Sequence, residues 1–158
     1  MFSTIVWATD GSESADRALA QAAALAAEQG ASVIAVHCVE YMVGPHSGGV
    51  TVHPDEEVLR AKIARQVSEL SARGVDASER VISGTTLTGA AQVIADAARD
   101  AGADLIVAGT RGHTALVGLL LGSVTERLLH IAPCPVLVVP AVPAAATGEQ
   151  HATAEASA

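Results

Sequence analysis

The chain has 158 residues, half of them hydrophobic and only 2% aromatic, with 9 basic residues against 17 acidic ones and a formal net charge of −8. That length predicts a single domain, able to bury roughly two-thirds of its unfolded surface without disulfides or a structural metal. An acidic surface with one lysine (Lys62) and no basic stripe argues against nucleic-acid binding. No apolar run approaches the ~20 residues that a membrane span requires.

The first residues, MFSTIVWATDG, lack the basic region and cleavage site of a signal peptide, so the cytoplasm is the expected location. STIVWATD (3–10) reads as a strand. Residues 14–30 follow with Ala15, Ala18, Leu19, Ala22, Leu25 and Ala26 on one helical face, ending at a glycine. ASVIAVHCVE (31–40) is a second strand, and residues 40–54, rich in Gly and Pro, read as a loop. Asp55, Glu56 and Glu57 open a helix whose dipole they complement, with Leu59, Ile63, Val67 and Leu70 as its apolar stripe and Gly74 as its stop.

VDASERVIS (75–83) is a more polar third strand. A third helix spans 88–102, with Ile94, Ala97, Ala98 and Ala101 on one side. ADLIVAG (103–109) is apolar without alternation, as a strand covered on both faces should be. Val124, Leu128 and Ile131 face inward from a fourth helix over 123–132, and CPVLVVP (134–140) is the last strand. Cys38 and Cys134 fit no CxxC or zinc spacing and read as small buried residues of these strands. From Ala141 the chain is low-complexity and reads as a disordered tail, which sets a domain at 1–140 and a tail at 141–158.

Regular β-α alternation implies an α/β fold: a doubly wound, Rossmann-like, five-stranded parallel sheet with helices on both faces. Such sheets bind ligands at the carboxyl ends of the strands where the winding reverses. In the order 3-2-1-4-5, the turn after the first strand (ATDGSES) and the stretch after the fourth (GTRGHTALVGLLLGS, 109–123) face one crevice. Neither matches a GxxxxGK loop or a GxGxxG fingerprint, and no lysine lies near these glycines.

What stands there is G-x2-G-x9-G-S: Gly109, Gly112, Gly122 and Ser123. Gly109 and Gly112 permit positive φ and close backbone approach to a phosphate, and successive N–H groups in such a turn form an anion-binding nest. Gly122 and Ser123 open a helix whose N–H groups and dipole favour an anion. A second reading stands beside this one: SVTE is a capping box in which Ser123 caps the helix and Glu126 reaches back.

The glycine motif with its LLGSV context, the opening IVWATDGSESADRAL and the closing PCPVLVVP together resemble the universal stress protein family, in its ATP-binding branch, over the whole chain up to Pro140. The resemblance implies that Gly109, Arg111, Gly112, Gly122, Ser123, Val124 and Thr125 line the phosphates of ATP. It also implies that the Ala8 backbone and the Asp10 carboxylate hold adenosine, Asp10 at the ribose, and that Cys38 main-chain atoms meet the adenine edge. Asp10 is equally suited to capping the first helix or shaping its turn with Gly11 and Ser12. Mg²⁺ would accompany the triphosphate, held by phosphates and water. His37 reads as an ordinary strand histidine, His113 as a loop surface residue, and His46 and His53 as loop residues with no metal cluster.

Leu119, Leu120 and Leu121 are too apolar for a solvated loop and are expected to tuck under the following helix or to meet a second subunit. The third strand, with Asp76, Ser78, Glu79 and Arg80, suits a protected sheet edge. The last strand is an apolar edge, which is a liability unless paired, so a two-fold dimer through Val136 to Val139 is expected; the resemblance implies the same contact. The function that follows is an ATP-holding, dimeric regulator in a stress response. No residue stands out as activating water, which leaves at most weak hydrolysis. A slow ATPase and a dimerisation module with an unused pocket are the alternatives.

Overall fold

Strands and helices alternate as the periodicity requires. The computed structural model describes residues 1–40, 42–43, 50–51, 55–84, 89–110 and 121–140. The order is β1 (Thr4–Ala8), α1 (Glu13–Gln29), β2 (Ser32–Glu40), β3 (Met42–Val43), β4 (Val50–Thr51), α2 (Glu56–Ala72), β5 (Ala77–Gly84), α3 (Ala90–Asp100), β6 (Leu105–Gly109), α4 (Ser123–Ile131) and β7 (Val136–Val139). Five strands form one parallel sheet in the order β5-β2-β1-β6-β7. Counting those five alone, this is the expected 3-2-1-4-5, with the winding reversed between β1 and β6.

One element departs from the expected loop at 40–54. Met42–Val43 pairs antiparallel with Val50–Thr51 as a separate two-stranded sheet. Two-residue strands are too short for alternation to register in a sequence, so only the pairing reveals them.

Alternation along each strand sorts the core into two layers. Ile5, Trp7, Val33, Ala35, Leu105 and Val107 face α1 and α2, whereas Val6, Ala8, Val36, Ile106 and Ala108 face α3 and α4. Ala15, Ala18, Ala22 and Ala26 form the buried stripe of α1. Methyl-sized side chains let that helix lie close over the sheet, and the one large residue beneath it, Trp7, is fully buried. The Trp7 indole Nε1–H donates to the Ala15 carbonyl at 2.9 Å, fixing the first turn of α1 to β1. Trp7→Phe should lower stability by about 2 kcal/mol, through a lost buried hydrogen bond and a residual void. Urea denaturation with an unchanged slope checks this.

α1 stops at Gly30, whose left-handed φ of 69° closes the helix as the glycine stop predicted. At the amino edge of the sheet, Asp104 Oδ2 accepts from Ser3 N at 2.8 Å, tying the start of β6 to β1. Cys38 and Cys134 are half-buried rather than fully buried. Burial, and then the nearby Asp104 carboxylate, push the Cys134 thiol upward in pKa, so it stays protonated and a poor nucleophile at neutral pH. The polar strand β5 and the apolar strand β7 occupy the two edges. No helix among the described residues is long and apolar enough to cross a membrane.

Candidate functional site

The carboxyl ends of β1 and β6 lie side by side, in a register that pairs Ile5 with Leu105 and Trp7 with Val107. Beyond them come the turn Thr9–Ser12 and, across the sheet, Gly109 with the start of α4. Ala8 and Asp10 thus stand at one lip of the crevice, with Gly109, Gly122, Ser123, Val124 and Thr125 at the other. Cys38 sits near the end of the neighbouring β2, paired in register with Ile82. Arg111, Gly112 and His113 lie outside the described residues, as do His46, His53, Leu119, Leu120 and the tail 141–158.

Competing local bonds build the first lip. Asp10 Oδ1 accepts from Ser12 N at 3.0 Å, the short Asx turn that Asp favours. Ser12, not Asp10, caps α1, its Oγ accepting from Ala15 N at 3.3 Å. Of the roles open to Asp10, shaping the turn is therefore observed and capping the helix is not. Gly11 bends the chain with a φ of +75°, and its missing Cβ leaves room for Leu59 of α2.

The second lip is pinned at both ends. Gly122 N donates to Thr110 O at 2.8 Å, so the ends of the glycine stretch meet. Thr125 Oγ1 donates to the Gly109 carbonyl at 2.8 Å, and its side chain is buried. The Thr125 hydroxyl is thus committed to the fold, leaving its backbone N–H for any ligand. The backbone ladder of α4 begins with Glu126 N donating to Gly122 O. The N–H groups of Ser123, Val124 and Thr125 therefore find no acceptor among the described residues.

That geometry corrects two sequence-based readings. Gly122 is the N-cap, with no side chain to serve as one, and Ser123 is the exposed first helical residue. The capping box does not form, because the Thr125–Gly109 bond sets the phase of α4 so that Ser123 falls inside the helix. Neither Gly109 nor Gly122 uses positive φ. Gly109 is glycine because a Cβ there would come to 2.3 Å from Ser14 Oγ and 2.8 Å from the Ser14 backbone. It admits α1 to the sheet.

Ser14 was not picked out by the sequence, yet its hydroxyl is buried and has no hydrogen-bond partner among the described residues. His37 was read as ordinary and proves otherwise. It is 4% exposed, with Nδ1 3.0 Å from the Thr9 carbonyl and Nε2 3.2 Å from Glu56 Oε1. The signal for its burial was present: 33, 35 and 37 share the inward phase of β2.

At the opposite end of the sheet, a hollow of about 250 Å³ lies between Ala26, Gly30, Arg73 and Asp76. The carboxyl termini of α1 and α2 point there, which disfavours an anion.

Known proteins share this arrangement. A relative from Thermus aquaticus, named a universal stress protein in the QAH/OAS sulfhydrylase 3' region, is 37% identical over 148 residues, spanning 88% of this chain and 99% of the relative. A universal stress protein solved in complex with cAMP superposes with a TM-score of 0.63 at 26% identity, over 87% of this chain and 96% of that one. Another, from Archaeoglobus fulgidus in complex with dAMP, has a TM-score of 0.59 at 26% identity, over 87% and 97%. The universal stress protein family model itself matches residues 1–140, from the start of the chain to the end of β7. With the sheet order and the glycine-bounded crevice in place, that match makes this chain a member of the universal stress protein family.

Proposed function

We propose that this protein is a cytoplasmic, dimeric stress regulator that holds an adenine nucleotide, ATP with Mg²⁺, in the crevice between β1 and β6. The observation that carries the reading is the start of α4. Three backbone N–H groups, at Ser123, Val124 and Thr125, find no acceptor among the described residues, at a helix end whose N-cap Gly122 has no side chain. A helix end of this kind attracts an anion. Gly109, Arg111, Gly112 and Gly122 complete the phosphate side, and Ala8, Asp10 and Cys38 the adenosine side. Similar proteins solved with cAMP and dAMP support a nucleotide in this family.

Mg²⁺ would arrive with the triphosphate, on phosphate oxygens and water. Backbone N–H groups stabilise a bound phosphate without activating water, so the output of the site is an interaction rather than a product. The second subunit would cover the apolar edge at β7, where Leu137 is 37% exposed and Leu129 of α4 48% exposed.

Denaturing the purified protein should release an adenine nucleotide, and incubation with ATP should yield ADP only slowly. Sustained turnover would make it an ATPase instead. No nucleotide bound at millimolar ATP would leave a dimerisation module, and a monomer by sedimentation at micromolar concentration would remove the dimer.

A further inference from the structure

The first three turns of α2 carry no residue of the nucleotide site, yet one face of that helix is fastened to the turn that does. Leu59 fills the space beside Gly11. Lys62 Nζ donates to the Gly11 carbonyl at 2.7 Å and pairs with Asp16 at 2.7 Å. Gln66 Nε2 donates to the other Asp16 oxygen at 2.8 Å. The uppermost tie is the imidazole of His37, set between the Thr9 carbonyl and Glu56.

Its chemistry is unlike that of the others. The Thr9 carbonyl can only accept, so Nδ1 carries a hydrogen. Nε2 lies 3.2 and 3.3 Å from the two Glu56 oxygens, and Arg60 Nε donates to the same carboxylate at 3.0 Å. The imidazole therefore bridges the end of β1 and the first turn of α2, one ring nitrogen on each.

We propose that His37 and Glu56 are positioning residues of the nucleotide site: the imidazole bridge holds the first turn of α2 to the Thr9 carbonyl, and breaking it loosens the Thr9–Ser12 turn that holds the nucleotide. The proposal rests on the nucleotide reading above. Among the described residues, the charged groups around the pair are few. Arg60 contacts Glu56 directly, Asp55 and Glu57 flank it on α2, and Asp10 follows Thr9 with Oδ1 engaged by Ser12 N. On α1, Asp16 is matched by Lys62 and Gln66. The register neighbour on β5 is the uncharged Val81.

Glu56→Gln keeps a partner for Nε2, because the Gln amide donates to it while the Nδ1–H still serves Thr9, whereas Glu56→Ala removes that partner. Binding of Mg·ATP to the full chain is measured by calorimetry for the wild type and both variants.

Glu56→Ala should lose roughly five- to tenfold in affinity, and Glu56→Gln should keep most of it. In the nucleotide-free protein, the Gly11 and Ser12 amides should exchange faster in Glu56→Ala than in Glu56→Gln. Glu56→Ala binding as tightly as the wild type, or Glu56→Gln losing as much as Glu56→Ala, would overturn the positioning role and leave the nucleotide reading standing. A wild type that binds no ATP would overturn the nucleotide reading itself, and the proposal with it.

Discussion

Gly109→Ala should lower the stability of the nucleotide-free protein by about 3 kcal/mol, the upper range for overpacking a tight core. A Cβ on Gly109 would stand 2.3 Å from Ser14 Oγ and 2.8 Å from both the carbonyl carbon and oxygen of Ser14. A hydroxyl can rotate away, but the backbone of α1 cannot. Its first turn is held to β1 by the Trp7–Ala15 bond and to α2 by Asp16, so relieving the clash means breaking these contacts.

The double variant distinguishes the two sources of strain. Ser14→Ala alone removes a buried hydroxyl that has no partner among the described residues and should be neutral or stabilising, by up to about 1 kcal/mol. Combined with Gly109→Ala it should recover less than half of the loss, because the backbone contacts remain. A Gly109→Ala protein within about 1 kcal/mol of wild type would mean that close packing on α1 is not what demands this glycine.

Gly122→Asp should separate stability from binding by moving them in opposite directions. Gly122 has an extended conformation, φ −64° and ψ 149°, that aspartate adopts readily at an N-cap. Its carboxylate would accept from the N–H of Val124 or Thr125 and complement the helix dipole, raising stability by up to about 1 kcal/mol. The same carboxylate would occupy the position proposed for phosphate and repel it. Nucleotide affinity should fall by about 100-fold, equivalent to about 2.7 kcal/mol. Gly122→Asn caps without the charge and should cost only about tenfold, about 1.4 kcal/mol. Unchanged affinity in the stabilised Asp variant would exclude the start of α4 as the phosphate grip.

The two glycines of one motif therefore serve different ends. Gly109 is a packing residue at the α1–β6 contact, while Gly122 leaves a helix end uncapped. Their spacing points to the proposed site but does not say what else each glycine does in the fold. A similar division runs through the first lip, where Asp10 turns the chain and Ser12 caps α1. Both residue types favour both roles, so only the observed start of the helix assigns them.

Local periodicity by itself determined the five strands of the parallel sheet, the four helices among the described residues and hence the layered α/β architecture, because burial of one face is written in every second or every third and fourth residue. The polar and apolar edges, β5 and β7, were legible for the same reason. The family was legible in the glycine spacing and its flanks.

What only the tertiary structure decided are the contacts between residues far apart in the chain. Thr9 lies 28 positions from His37 and Lys62 lies 46 from Asp16, while the demand for glycine at 109 comes from Ser14. The phase of α4 was set by Thr125 bonding to Gly109, which overrode a capping box that its own sequence favours. Local sequence carries the preference of a segment for a helix or a strand. Which polar atom then finds which partner depends on how the layers close, and that is where the candidate site was made.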